Sequence, residues 1–284
     1  MRSLSMAIAA VSLVPILVFA QASVAKPPPP AADVPELNTV RPSVFCGNCD
    51  RPFDTSTHEK ILESLASNPY NGELRRALYT QDTLHQFESK AHFDNCDFDG
   101  AIAYMEQLLD EVGANVASAS RAKAAGDKTA AESAIKAAFF SLGQALHGAQ
   151  DFYAHSNYVE LSVKAARTSA DLAYLAPWTD AGKASIRSLA GKGLVSGFVF
   201  WGFPQKCPSG TASHGDLAKD KATTKSGAVK VAHLENRSQY QIAVQLARAA
   251  SQALMDNAFN RWPLMKEYNG PNTAFELLVD RRGL

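Results

Sequence analysis

The segment "LGQALHGAQDFYAHSNYVEL", Leu142 to Leu161, places His147, Asp151 and His155 at intervals of four. An α-helix turns once in about 3.6 residues, so each step of four rotates the line of side chains by only about 40°. Three such groups stay close enough to converge on one or two ions. Neutral imidazole and carboxylate are the usual protein ligands of zinc, and histidines four apart on a helix present them well. A carboxylate between two histidines can also bridge ions. The alternative is a polar seam between packed helices, each group satisfied by ordinary hydrogen bonds. Three such groups in line favour metal.

Five further histidines complete the set of seven. His58 stands in "STHEK" at an expected helix start. His92 opens the acidic run "HFDNCDFD", with Asp94, Asp97 and Asp99, and His214 opens "HGDLAKD", with Asp216 and Asp220. His85 and His233 have no comparable partners and read as a helix-surface and a helix-start residue.

The elements that must position these residues are helical. Ser56 and Glu59 make a capping box ahead of "ILESLA", and "ELRRALYTQDTLHQF" continues with apolar residues at helical spacing. Asp99 is placed to cap the segment that ends at Gly126. Thr129 and Glu132 make a second capping box, opening the helix that carries the histidine stripe. On that helix Ile135, Phe139, Leu142, Leu146, Ala149 and Tyr153 share one face, and Gly143 leaves room for a helix or a substrate to approach. Residues 183–195 and 237–260 read as further helices. "GFVFWGFPQKCPSG", 197–210, reads as a buried aromatic loop or short hairpin, and the lysine-rich 216–230 as a solvated segment. One all-α, multi-helix domain over residues 46–284 is expected.

Arg2, an apolar run from Met6 to Ala20 and the small residues of "FAQASVA" have the layout of a secretory signal over residues 1–25, cut after Ala22 or Ala25. The run is too short, and too broken by Pro15, to span a bilayer. Residues 26–45 form a proline-rich, extended leader. The expectation is a secreted or periplasmic protein without a transmembrane segment. Arg2 is the one charged residue among the first 25, so 28 basic residues become 27 against 28 acidic ones. That balance argues against strong general nucleic-acid binding. Cys46, Cys49, Cys96 and Cys207 then meet an oxidising compartment, where disulfides are the default and three pairings are open. Staples from the N-terminal loop to the body are expected ahead of redox or zinc-knuckle chemistry at "CGNC".

"SLGQALHGAQDFYAHSNYVEL" resembles the signature of the Het-C (heterokaryon-incompatibility type) family, and "STHEKI", "HFDN" and "HGDLAKD" resemble its other landmarks in the same order. Together these cover most of residues 55–255. That family is similar in turn to the superfamily of zinc-dependent phospholipases C and fungal single-strand nucleases, all-helical proteins with zinc ions clustered at one end of the helices. The resemblance implies one to three zinc ions. It implies His147, Asp151 and His155 as central ligands, His58 near the domain start, His92 or Asp94 from the second segment, and His214 with Asp216 or Asp220 from the last. Two departures stand out. The superfamily's N-terminal Trp ligand has no counterpart, since Trp occurs only at 178, 201 and 262. Ala218 stands where a carboxylate four residues after His214 is usual.

Zinc would lower the pKa of a bound water to about 7 and neutralise a leaving oxygen. Asp94 or Asp97 would then serve as general base, and the aromatic stretch Phe198–Phe203 would contact acyl chains or stacked bases. The expected activity is metal-dependent hydrolysis of a phospholipid or other phosphodiester. The alternative is a secreted interaction or self-recognition protein whose metal contributes only folding energy.

Overall fold

The structure is a computed structural model that describes residues 55–62 and 70–269, and these are mostly helical. In chain order they form α1 (Thr55–Leu62), α2 (Tyr70–Leu84), α3 (Ser89–His92), α4 (Phe98–Ala124), α5 (Lys128–His155), α6 (Tyr158–Ala165), α7 (Asp180–Ala190) and α8 (His214–Leu217). A two-residue hairpin follows, β1 (Lys230–Val231) pairing antiparallel with β2 (Arg237–Ser238), and then α9 (Gln239–Arg261) and α10 (Pro263–Asn269). Among the described residues no helix is long and apolar enough to cross a membrane. The signal, the proline-rich leader, Cys46 and Cys49 lie outside the described residues, as do the side chains of the Ser56/Glu59 box.

Helices α4, α5 and α9 start where short acceptor side chains meet free N–H groups. Asp97 caps α4, accepting from Gly100 N–H at 3.1 Å, and Asp127 caps α5, accepting from Ala130 N–H at 2.9 Å. Both caps fall two residues before the expected Asp99 and Thr129. Gly126 does close the preceding helix, with φ at +77°. Ser238 and Gln241 form a reciprocal capping box at the start of α9.

Helix α5 is the axis of the fold, packed by α4, α2, α9 and the short α3, with α1 set against α2 and α9. Its apolar face, Ile135, Phe139, Leu142, Leu146, Ala149 and Tyr153, is fully inside. From Ser141 to His155 every residue is buried, so this half of the helix is enclosed on all sides. Gly143 makes the approach of α2 feasible: a Cβ there would lie 2.7 Å from the Ala77 Cβ and 3.0 Å from the Leu74 Cα. The room at Gly143 is thus taken by a helix.

Cys96 and Cys207 are bonded to each other across 111 residues, tying the segment after α3 to the segment before α8. Chain-entropy arguments give a loop of this length about 5 kcal/mol, and such links typically contribute about 2–4 kcal/mol. These two cysteines therefore staple two parts of the body together and do not join it to the N-terminal loop. The lysine-rich 216–230 is not simply solvated either: Lys219 is fully buried, its Nζ 3.0 Å from Glu160 and 2.6 Å from the Leu217 carbonyl.

Candidate metal centre

The enclosed half of α5 carries His147, Asp151 and His155, and the surrounding elements bring the remaining groups to them. His58 comes from α1, Asp82 from the last turn of α2, His92 from the end of α3 and Asp94 from the loop after it. His214 comes from α8 and Asp220 from the segment following it.

Asp151 is the hub. One carboxylate oxygen lies 2.8 Å from His147 Nε2 and 2.9 Å from His92 Nδ1; the other lies 3.2 Å from His58 Nε2 and 3.9 Å from His155 Nε2. Asp82 approaches His147 Nε2 at 3.5 Å. On the far side of Asp151, Asp94 stands 3.1 Å from His214 Nδ1 and 3.6 Å from His155 Nδ1, while Asp220 stands 3.4 Å from His155 Nε2. The imidazoles pack ring on ring, with centroids 4.3 Å apart for both His58/His147 and His155/His214. Three groups, His58/His147/Asp151, Asp82/His92/His147 and Asp94/His155/His214, each have ligand atoms within 4.8 Å of one another and could hold a metal ion.

The donor set fits such an ion for a reason besides proximity. Buried polar atoms in a folded protein are nearly always hydrogen-bonded. Here the outer nitrogens of His92 and His214 and both carboxylate oxygens of Asp220 are buried without a hydrogen bond. His147 Nε2 and His92 Nδ1 also lie 3.1 Å apart while facing the same Asp151 oxygen. Protons satisfy such a knot only in part; a cation accepted by all these lone pairs satisfies it directly.

The electrostatics show what the groups do in the absence of an ion. Burial opposes charge on His58, but the Asp151 carboxylate beside it prevails and holds its pKa up at about 9. Burial likewise opposes charge on His214, and Asp94 drives it to about 9. His92 is raised in the same way against its burial, by Asp151. His147 goes down, because burial and the neighbouring His58 charge outweigh Asp151. Burial pushes the Asp151 carboxyl up, yet the His147 and His155 charges bring it well below the usual carboxylate range.

Asp94 is presented by an unusual stretch of backbone. Phe93, Asn95 and Cys96 all have φ between 53° and 55°, left-handed conformations that non-glycine residues adopt at a cost. The Asn95 side chain holds the stretch in place: its amide donates to Ser89 Oγ, Val199 O and Gly202 O, and its oxygen accepts from Val199 N–H. The same bonds fix the aromatic loop beside the cluster, where His214 N–H donates to the Phe198 carbonyl. The expected buried aromatic loop or hairpin is therefore corrected. Phe198, Phe200 and Phe203 are exposed, and the exposed Phe87 joins them, since Phe203 N–H donates to the Phe87 carbonyl.

Of the residues singled out from sequence, His58, His92, Asp94, His147, Asp151, His155, His214 and Asp220 come together. Asp97 does not: it caps α4 and pairs with Lys206 at 2.6 Å, so it has no reach as a general base. Asp216 faces outward, held by Lys225 at 2.6 Å and by the Ser213 hydroxyl at 2.8 Å. His85 sits just beyond α2 against Glu88, and His233 lies in the hairpin turn against the Val163 carbonyl rather than at a helix start. Asp82 is the addition. Nothing in "YTQDTLHQF" sets it apart from a solvent-facing carboxylate, and only the packing of α2 on α5 brings it to His147.

The chain matches no family model, no curated protein and no solved structure.

Proposed function

We propose that the chain is a secreted, zinc-dependent phosphoester hydrolase of the phospholipase C type, with phospholipid ahead of nucleic acid as its substrate class. One observation carries the reading: burial is graded across the cluster. His58, His147, Asp151 and His155 are 0 % exposed, while His92, Asp94 and His214 reach 4 %, 7 % and 8 %, and the Asp82 side chain 16 %. A metal that served only to hold helices together would favour a closed set of ligands; the less buried groups mark the side from which water and substrate would come.

Bound zinc supplies a water acidified to about pKa 7 and a positive charge for the phosphoryl oxygens. The chain's residues supply the rest. Asp151, His147 and His58 fix the fully buried side, with His155 beside them. Asp94 lies among the less buried groups, within reach of both His155 and His214, so where it is not itself a ligand it, and not Asp97, is the carboxylate that would take a proton there. The exposed rings of Phe87, Phe198, Phe200 and Phe203 border the same side and suit acyl chains. The near-neutral charge balance disfavours a polyanionic substrate. The likeness of four segments to Het-C landmarks supports the same reading.

The test is hydrolysis by the purified, zinc-loaded chain of phosphatidylcholine vesicles, single-stranded DNA and RNA. Release of phosphocholine, abolished by chelation, is expected. A folded protein with stoichiometric zinc that cleaves none of the three would leave the metal a structural part of an interaction protein.

A further inference from the structure

Gln150 is fully buried on α5, between the hub Asp151 and the turn that carries His147, and no ligand role falls to it. Its amide joins two other helices. The oxygen faces His58 Nδ1 on α1 at 2.6 Å, and the nitrogen faces Ser251 Oγ on α9 at 2.9 Å. We infer that Gln150 is a positioning residue for His58, acting as the acceptor that keeps the proton on Nδ1 and so leaves the Nε2 lone pair turned toward Asp151 and a metal ion.

This role rests on the metal reading above and follows from the chemistry of imidazole. A neutral ring carries one proton, and whichever nitrogen bears it cannot ligate. His58 Nε2 is the atom turned into the cluster, 3.2 Å from Asp151. When a metal ion displaces the proton from Nε2, an acceptor at Nδ1 holds the remaining proton there and fixes the plane of the ring as well. With its amide nitrogen on Ser251, the Gln150 oxygen is the end presented to His58. The serine thus sets which way the amide points, and α9 takes part in the centre without contributing a ligand.

The experiment is titration of the metal-free, purified full chain with Co²⁺, followed by its visible absorption, for wild type, Gln150→Leu and Gln150→Glu. Glutamate accepts at Nδ1 and can also accept from the Ser251 hydroxyl; leucine fills similar space and accepts nothing. Gln150→Leu is expected to bind Co²⁺ about 10–100-fold more weakly, with a helical circular dichroism spectrum like that of wild type. Gln150→Glu is expected to retain wild-type affinity, and it alone decides the matter should the leucine variant not fold. A folded Gln150→Leu with wild-type affinity overturns the assignment, as does a Gln150→Glu that loses Co²⁺. A wild-type chain that takes up no Co²⁺ fails earlier, and sinks the metal reading along with this one.

Discussion

The enclosed half of α5 and the loop around Phe198–Phe203 break the ordinary arrangement in opposite directions. In α5, titratable side chains sit where apolar ones would be buried without penalty; isolated ions there cost several kcal/mol each even after relaxation. In the loop, Phe200 is 72 % and Phe203 66 % exposed, where each forgoes much of the roughly 1.5–3 kcal/mol that burying it would yield. The two regions are held differently. The interior groups depend on one another through Asp151, so they stand or fall as a unit. The exposed rings depend only on a backbone pinned by Asn95 and the Cys96–Cys207 bond, so their contributions should be separable. Places where a sequence departs from its own local rules are where function is most often found.

That contrast sets the order of expected effects. Asp151→Asn keeps the shape of the hub and removes its charge. It should lose metal and lower phosphoester hydrolysis by on the order of 10³-fold or more, the scale of deleting one member of an interdependent set, as measured by initial rates on zinc-loaded protein. A mild effect would mean that the interior is not a unit. Removing metal with a chelator comes next. At a free metal concentration of 1,000 times Kd, binding contributes about 4 kcal/mol, or roughly 10 °C in Tm for a domain of this size. Calorimetry with and without zinc checks it.

The pH response should reverse sign with the metal. In the metal-free chain His58 and His214 are raised from 6.5 to about 9, so the stability they confer is complete below about 6.5 and is lost as pH rises through about 9. Metal needs those imidazoles unprotonated and binds more tightly as pH rises. The Tm difference between loaded and metal-free protein should widen from pH 6 to pH 9; a constant gap would sever the metal from these histidines. The smallest effect belongs to the rim. Phe200→Ser combined with Phe203→Ser should weaken turnover on vesicles by roughly ten-fold and leave a soluble short-chain phosphodiester unaffected. Equal losses on both substrates would place the rings in the fold rather than at a lipid surface.

The interior was readable from sequence to the extent that helical periodicity carries it. His147, Asp151 and His155 announce themselves because one helix holds all three at a spacing close to its own turn. His58, His92, Asp94, His214 and Asp220 could be paired with them because histidines are few. Asp82 and Gln150 could not be found, since each is an ordinary polar residue until α2 closes on Gly143 and α9 brings Ser251 alongside. The caps at Asp97 and Asp127 were missed by two residues, because several acceptors crowd each helix start and only the side chain that meets the third N–H captures it. Composition alone reads the aromatic stretch as a buried loop or short hairpin, or as a surface for acyl chains or bases, and does not choose between them. Asn95 satisfies the loop's backbone, which leaves the rings free to face outward. Lys219 misled in the opposite sense, since a lysine-rich stretch gives no sign that Glu160 waits in the interior for one of them.

The central claim is that the groups around Asp151 hold zinc, and elemental analysis of the purified chain tests it most directly. Between one and three zinc ions per chain are expected, retained through gel filtration and absent from a folded Asp151→Asn variant. A wild-type protein that is folded, has been offered zinc and carries none would contradict it.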